Sequence, residues 1–490
     1  MRDFCSLLTR RVERLLVHAF TLIALCGLAA QPVAAQSVLR DAETEKLLQD
    51  MVDPLAEAAG LGAGAVDVVL LNDPSLNAFV AGGQRIYVHS GLINAADTAN
   101  GVQGVLAHEL GHITGGHINR YSEGASKATK ITLLSMLAGV AAALAGAGDA
   151  AMGAMALGQQ AAMGSFLSFS RTQEASADAA SVQFLKCAGL SGKGVVSFFR
   201  KLQNLEFRYG YSQSEEAGFR RTHPLTGDRI SRLEADLQSD PAWDRPDADL
   251  VAGIDVPQAE NVDGNCAGAP VPTGELEERF QRVKAKLYGY LAEPARTLQA
   301  YPDSMTGAPA RYARAYAYHK QAKVDDALVE TQALIASDPQ NPYFLELEGQ
   351  VLLESGRPEE ALDPLRNAVQ LTGNEPLIAS TFGHALLATE DSGHLEEAER
   401  VLRAAVGRDR ENPFAWYQLG VVYGAQGDIP RAQLASAEQQ VMSGNVREAL
   451  HNARSAEAAL PHGSPDWIRA QDVAMQARAL IERDDDKRRR

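Results

Sequence analysis

The chain has 490 residues, with 46 Lys+Arg against 62 Asp+Glu and a formal net charge of −16. Because 46% of the residues are hydrophobic and 22% are charged, the composition is globular and excludes wholesale disorder and collagen-like structure. The acidity argues against general nucleic-acid binding, which needs clustered Lys and Arg to neutralise phosphates. At about 100–200 residues per domain, the length predicts two or three domains.

The first 35 residues have the layout of a secretory signal peptide. A segment with four arginines precedes an apolar, nearly uncharged stretch at residues 15–30, and the small residues Val33 and Ala35 mark a cleavage site before Gln36. An uncleaved N-terminal anchor is the alternative. The sequence therefore predicts an exported protein.

Export determines which cysteines remain in the mature chain and whether they are expected to pair. Cys5 and Cys26 leave with the signal peptide, so that Cys187 and Cys266 remain. In an oxidising compartment two cysteines are expected to form one disulfide. Two unpaired thiols are the alternative.

The mature chain divides by composition. Strand-like stretches at residues 65–71 and 85–88 are mixed with helical ones in the first region, and a Pro- and Asp-rich region without apolar period follows. The remainder has a helical pattern rich in Ala, Leu and Glu. The predicted divisions are 1–35 signal peptide, 36–236 first domain, 237–274 linker, 275–480 helical repeat domain and 481–490 charged tail.

Small residues recur in the helical region with a period close to 34. Ala327 and Ala361 are 34 residues apart, as are Ala398 and Ala432. Another small residue stands twelve positions before each of these alanines, once a three-residue insertion is allowed for in the third repeat: Ala315, Gly349, Gly383 and Gly420. Three prolines follow the same period: Pro342, Pro376 and Pro413. The pattern resembles the tetratricopeptide repeat (TPR), in which small residues let antiparallel helices approach closely. It predicts an all-α solenoid whose concave surface binds a partner; a generic helical bundle is the alternative.

The sequence His108-Glu109-Leu110-Gly111-His112 is an HExxH motif. Two histidines four apart lie on one face of a helix and can bind one zinc ion, and Glu109 can then act as general base on a water. A metzincin would continue to a third histidine at position 118, which is Ile118 here; His117 is one residue short. The third ligand must therefore come from another segment.

The best candidate for that segment is a second helix with Glu174 and Asp178 four residues apart. Glu174 can complete a site of two histidines and one glutamate, which leaves the fourth zinc position for water. Asp178 can accept a hydrogen bond from the outer nitrogen of a ligand histidine, or donate a proton. A solvated helix face is the alternative for this pair.

Four segments together make a specific resemblance. HELGH at 108–112, RTQEASAD at 171–178, His223-Pro224 and the strand-like residues 82–92 are similar to the gluzincin family of the CAAX prenyl endopeptidases and HtpX. The resemblance implies an α+β metalloprotease domain, mostly helical with a small antiparallel strand pair, followed by the all-α TPR solenoid. It further implies that His108, His112 and Glu174 bind one Zn²⁺ ion.

The same resemblance implies the catalytic roles. Glu109 corresponds to the catalytic glutamate, and Asp178 corresponds to the residue assigned as proton donor. His223 lies near the active site in that family, where it either polarises the transition state or occupies the open zinc position and keeps the enzyme latent. A plain turn residue before Pro224 is the alternative.

The whole architecture, with a signal peptide and a repeat array, resembles a periplasmic metalloprotease and chaperone. It implies a zinc-dependent endopeptidase of the periplasm that acts on misfolded or misassembled outer-membrane proteins. The repeats would bind these proteins and their assembly machinery. The alternative is mainly a chaperone or scaffold for outer-membrane protein assembly with latent protease activity.

Two segments carry further expectations. Residues 131–148 have no charge and are followed by an Ala/Met/Gly stretch to residue 157; we expect a small-residue helical hairpin beside the active site that touches a membrane surface, with a spanning helix as the alternative. Residues 85–88, as an edge strand, could bind an extended substrate by strand addition. A core strand is equally compatible with that sequence.

Overall fold

The computed structural model describes residues 37–144, 148–209, 223, 226–244 and 273–489. Apart from residues 37 and 38, the described residues belong to one compact unit, residues 39–490. The predicted signal peptide, most of the predicted linker and Cys266 lie outside the described residues. Cys187 is disulfide-bonded.

The first region is a small sheet with helices packed around it. Its strands are β1 (Ser37–Leu39), β2 (Asp67–Asn72), β3 (Ala78–Val80) and β4 (Arg85–His89). Its helices are α1 (Ala42–Ala58), α2 (Ser90–Ala95), α3 (Ala99–Thr114), α4 (His117–Leu144), α5 (Gly148–Cys187), α6 (Lys193–Tyr209) and α7 (Gly227–Gln238), and a 3-10 turn follows at Pro241–Asp244. The strand-like stretches predicted at residues 65–71 and 85–88 are confirmed as β2 and β4.

Strand β4 lies inside the sheet, between β2 and β3. It pairs in parallel with β2, with Val69 opposite Tyr87, and antiparallel with β3, with Phe79 opposite the same Tyr87. The predicted antiparallel pair is therefore present, but the sheet is mixed because β2 adds a parallel partner. Since both edges of β4 are hydrogen-bonded, the alternative in which residues 85–88 form a free edge strand is wrong.

Helix α3 is buried from Gly101 to His112. Thr98 caps its N-terminus, where the side-chain oxygen accepts a hydrogen bond from the Gly101 amide at 3.2 Å. Val102, Val105 and Leu106 are fully buried in the hydrophobic core of the first region. The helix that carries the HExxH motif is therefore fixed by core packing rather than by surface contacts.

Helices α4 and α5 pack against each other over the region where a hairpin is predicted. Large apolar side chains project from both helices, including Leu134, which is 66% exposed, and Met152, which is 71% exposed. Among the described residues, no helix combines the length and the apolar character that are needed to cross a membrane. The helical pair is confirmed, whereas contact with a membrane surface stays a prediction.

The last part of the chain is a succession of helices. These are α8 (Thr273–Leu291), α9 (Pro294–Ala300), α10 (Ala308–Lys320), α11 (Val324–Ser337), α12 (Pro342–Glu354), α13 (Pro358–Leu371), α14 (Pro376–Ala388), α15 (Leu395–Arg408), α16 (Pro413–Gln426), α17 (Ile429–Met442), α18 (Val446–Ala459) and α19 (Pro465–Arg489). Each neighbours the next in space, as expected for a solenoid.

The phased small residues lie where paired helices meet. A Cβ atom added at Gly349 would lie 2.4 Å from Leu365 Cγ, and one added at Gly383 would lie 2.5 Å from Leu402 Cγ. The phased prolines begin helices α12, α14 and α16, where a missing amide hydrogen costs nothing. The predicted TPR-like packing is confirmed by these contacts.

The two regions share packing at their junction. Phe280 and Val283 of α8 are buried in the core of the first region, whereas Ala42 of α1 is buried in the core of the repeats. The Lys286 ammonium contacts Asp41 and lies 3.3 Å from Glu43 Oε2, to which the Tyr312 hydroxyl donates at 2.7 Å. Because Lys286 is only 4% exposed, losing both carboxylates would leave a buried charge unpaired.

Two glycines at the same repeat position predict opposite responses to alanine. Gly349→Ala is expected to destabilise the protein by about 1–3 kcal/mol, because the new methyl group overlaps Leu365, which is fully buried. Gly420→Ala is the matched control: its Cβ would lie 3.5 Å from Ala435 Cβ, so it is expected to be neutral or to stabilise by up to about 1 kcal/mol. Urea unfolding followed by circular dichroism measures both. Equal losses for the two variants would contradict this account of the repeat packing.

Candidate metal centre

Two helices bring the predicted site residues together. Helix α3 carries His108 and His112 one turn apart, and α5 carries Glu174 one turn before Asp178. The helices approach closely at Gly111, where an added Cβ would lie 2.7 Å from the carbonyl oxygen of Ala177. The absence of a side chain at Gly111 therefore permits the spacing on which the site depends.

Four buried side chains converge on one point: His108, His112, Glu174 and His223, called here the ligand cluster. His108 Nε2 lies 3.2 Å from His112 Nε2 and 3.4 Å from Glu174 Oε2, and His112 Nε2 lies 3.4 Å from Glu174 Oε1. His223 Nδ1 lies 3.3 Å from His108 Nε2 and 3.1 Å from Glu174 Oε1. One ligand atom from each of the four residues thus lies within 4.8 Å of all the others.

These separations fit a metal ion of zinc size. With bonds of about 2.0–2.1 Å to a tetrahedral Zn²⁺, ligand atoms would lie about 3.3 Å apart, as the edges of that tetrahedron require. Imidazole and carboxylate are also ligand types that zinc accepts. The donor set and its spacing therefore fit the ion that the sequence predicts.

Asp178 and Arg229 contact members of the ligand cluster: Asp178 contacts His108, and Arg229 contacts Glu174. Asp178 Oδ1 lies 3.0 Å from His108 Nδ1, the nitrogen that faces away from the cluster. Arg229 donates from Nε and Nη2 to Asp178 at 2.7 and 2.8 Å, and from Nη1 to Glu174 Oε2 at 2.9 Å. Burial works against ionisation, but the hydrogen bonds from His108 and Arg229 outweigh it and lower the pKa of Asp178. Asp178 is therefore a carboxylate in a position to orient His108.

His117 contacts the outer nitrogen of His112, as Asp178 contacts that of His108. Its Nδ1 lies 2.9 Å from His112 Nδ1. Burial and the neighbouring His112 lower the pKa of His117 to about 4, so that its imidazole is neutral at neutral pH. A neutral nitrogen can accept the proton of His112 Nδ1 and leave His112 Nε2 free to bind a metal.

Glu109 is buried without a hydrogen-bond donor. Within the described part of the chain, neither of its carboxylate oxygens has a hydrogen-bond partner, and Oε1 lies 3.4 Å from His223 Nε2. Burial raises the pKa of Glu109 to about 7, although the nearby His112 and His108 act in the opposite direction. A carboxylate that is free and titrates near neutrality is suited to move a proton.

The structure places all six predicted site residues in one buried centre. No sequence motif described above includes Arg229. His117 stood out in the sequence only as a possible third metzincin ligand. Neither residue stands at a helical spacing from the motif residues that it contacts, so periodicity could not have identified them.

Comparison with known proteins agrees with this geometry. Residues 42–237 match the model of Peptidase family M48. The chain is 25% identical over 423 residues to the beta-barrel assembly-enhancing protease of Escherichia coli (strain K12), which covers 84% of this chain and 79% of that protein. It is 30% identical over 168 residues to the metalloprotease LoiP of the same organism, covering 34% and 60%.

Further similarities are shorter or concern the repeats. A protease HtpX homolog of Bacillus velezensis is 41% identical over 76 residues, which is 15% of this chain and 25% of that protein. The crystal structure of YrrB, a TPR protein with an unusual peptide-binding site, matches 36% of this chain and 91% of its own, with 24% identity and a TM-score of 0.30. On its ligand cluster and its sequence similarities, the chain is a metalloendopeptidase whose residues 42–237 form a domain similar to Peptidase family M48; its own helix packing shows TPR-like repeats after that domain.

Proposed function

We propose that the protein is a zinc-dependent endopeptidase of the periplasm that acts on misfolded or misassembled outer-membrane proteins. The observation that carries the chemistry is the ligand cluster, with His108 Nε2, His112 Nε2 and Glu174 separated by 3.2–3.4 Å beside the free carboxylate of Glu109. His108, His112 and Glu174 would bind the ion. Zinc in such a site supplies a Lewis acid that polarises the scissile carbonyl.

Glu109 is the proposed general base. Its carboxylate accepts a proton from the attacking water and returns it to the leaving amine, which its pKa near neutrality favours. Asp178 is proposed as a positioning residue rather than as a proton donor, because its pKa is lowered and both of its oxygens contact Arg229. It keeps Nε2 of His108 directed towards the metal position.

The substrate and compartment rest on the relatives and on the sequence. A beta-barrel assembly-enhancing protease matches 84% of this chain, and the N-terminal 35 residues have the layout of a signal peptide. The TPR-like repeats supply a surface for unfolded outer-membrane proteins and their assembly machinery. These points together support a quality-control protease of outer-membrane assembly.

One observation favours the alternative, a scaffold with latent protease activity. His223 Nδ1 lies at the same separation from His108 and Glu174 as a fourth ligand would. A catalytic zinc site keeps that position open for water. We propose that His223 occupies it in the resting protein and withdraws when substrate binds.

Glu109→Gln tests the catalytic proposal. The variant is expected to retain one zinc per chain and to lose cleavage by about 10²–10⁴-fold, because the amide cannot accept the proton. Metal analysis and cleavage of an unfolded β-barrel protein measure the two properties. Glu123→Gln is the matched control, since Glu123 is exposed on α4 and is expected to leave cleavage unchanged.

The same variant separates protease from scaffold in cells. If Glu109→Gln fails to complement a deletion strain, proteolysis is the required activity. Full complementation would favour the scaffold. Cleavage at the wild-type rate in vitro would contradict the assigned role of Glu109 directly.

His117→Ala is expected to weaken Zn²⁺ binding by about 10–100-fold, because His112 loses the acceptor that fixes its tautomer and ring orientation. Competition with a chromophoric chelator measures the affinity. Thr114→Ala is the control, since the Thr114 hydroxyl donates only to backbone carbonyls of α3. Equal affinities for the two variants would refute a supporting role for His117.

His223→Ala distinguishes the two proposed roles of that residue. If His223 blocks the open position in all but a tenth of the molecules, its removal is expected to raise cleavage on the order of tenfold. The measurement is the cleavage rate per bound zinc. A fall in rate would show instead that His223 stabilises the transition state, and latency would be wrong.

A further inference from the structure

A cavity of about 270 Å³ lies in the repeat array, far along the chain from the ligand cluster. Helices α15, α16, α17 and α19 line it. It falls between two separate hydrophobic clusters, since Leu419 and Tyr423 belong to the larger repeat core and Leu434 to a smaller one formed by the last helices. The array therefore leaves a gap where its regular packing ends.

Arginines are the most frequent charged residues in the lining of this cavity. Its lining contains four arginines and one acidic residue: Arg403, Arg410, Arg431, Arg469 and Asp466. The chain as a whole carries a net charge of −16, so that such a grouping is unusual within it. Guanidinium groups bind carboxylates and phosphates with paired hydrogen bonds. The lining thus favours an anionic ligand.

Two of the arginines are fixed in place by carboxylates. Arg431 donates from Nε to Asp466 at 2.7 Å and from Nη1 to Asp428 at 3.0 Å. Arg469 donates from Nη2 to Glu438 Oε2 at 2.9 Å. Each guanidinium has five N–H donors, so both retain donors for a ligand while their planes are held by these pairs.

The other two arginines, Arg403 and Arg410, are available to bind a ligand. Arg403 has a single long ion pair, at 3.4 Å to Glu399 on its own helix, and its side chain is 49% exposed; such a pair contributes little. Across the described part of the chain, the Arg410 side chain has no acidic or hydrogen-bonding partner. Its loop is nevertheless anchored, because Asp409 accepts from Arg40 at 2.9 Å and Glu411 lies 3.6 Å from Arg85.

The rest of the lining is apolar. Val406, Leu419, Leu434 and Pro465 contribute aliphatic surface, and Trp416 contributes an indole. The Trp416 Nε1 donates to the backbone carbonyl of Arg410 at 3.1 Å, which fixes the ring beside that arginine. A ligand that matches this lining carries an anionic group next to an apolar one.

The size of the cavity further limits which ligands it can bind. Sites for drug-sized molecules occupy about 300–1,000 Å³, and this cavity is smaller. It can take the terminal residue of a peptide chain. A terminal carboxylate with an apolar last side chain supplies both required groups within that space.

We propose that this cavity binds the carboxyl terminus of a peptide chain that ends in an apolar residue. Arg410 and Arg403 bind the terminal carboxylate, and the surface around Trp416 and Leu434 contacts the last side chain. The site would give the repeat array a way to select partners by their C-terminal residue. Peptide binding at this site does not depend on peptide cleavage or on zinc.

The test is peptide binding to the full-length protein. Ten-residue peptides ending in Phe, labelled at the N-terminus, are prepared as free acid and as C-terminal amide, and fluorescence anisotropy gives their affinities. The free acid is expected to bind at least about tenfold more tightly than the amide, because the amide lacks the charge-assisted hydrogen bonds. Arg410→Ala and Arg403→Ala are each expected to lower the affinity for the free acid by a similar factor.

Arg400→Ala is the matched control. Arg400 lies on the same helix as Arg403, is 71% exposed and does not line the cavity, so its loss is expected to leave binding unchanged. Circular dichroism and thermal unfolding verify the fold of each variant, and Arg403→Ala replaces Arg410→Ala should the latter misfold.

Four outcomes would overturn the proposal. The first is equal binding of acid and amide, and the second is equal affinity of the Arg410→Ala and Arg400→Ala variants. The third is binding of inorganic phosphate, detected by calorimetry, without binding of any free-acid peptide, which would assign the cavity to a small anion. Equal binding of an amidated peptide with an internal Asp would likewise exclude a C-terminal site.

Discussion

The close contact of α3 with α5 determines what this protein can do. Each helix carries only part of the ligand cluster, and the two parts are separated by more than sixty residues of sequence. Gly111 lets the helices meet, since any side chain there would overlap the backbone of Ala177. The spacing of His108 and His112 from Glu174 follows from this contact, so the metal centre is a property of helix packing as much as of the motif.

Burial gives the centre its electrostatics. His108, Glu109 and Glu174 are nearly inaccessible to water, where an unpaired charge is costly. Burial works against ionisation of Glu174, but the surrounding histidines outweigh it and lower its pKa, and Arg229 donates a hydrogen bond to it. Among the described residues Glu109 has no hydrogen-bond partner, and burial raises its pKa. Two glutamates with opposite surroundings are thus suited to different tasks, binding a cation and moving a proton.

The sequence predicted what depends on local spacing. HExxH places two imidazoles on one helix face, the Glu174/Asp178 pair has the same period, and glycines phased with the repeats indicate close helix contacts. It could not predict contacts set by tertiary packing. The position of β4 inside the sheet depends on strand order, and Arg229 and His117 reach their partners from elements without a shared period. The burial of Phe280 and Ala42 in each other's regions joins protease and repeats through packing that composition does not record.

The central claim is that His108, His112 and Glu174 bind one zinc ion. Anomalous X-ray diffraction from crystals of the purified protein, collected on both sides of the zinc absorption edge, tests it most directly. The account predicts one anomalous peak per chain, with bonds of about 2.0–2.2 Å to the two Nε2 atoms and to a Glu174 oxygen. A peak at other residues, or none in protein shown to be active, would contradict it.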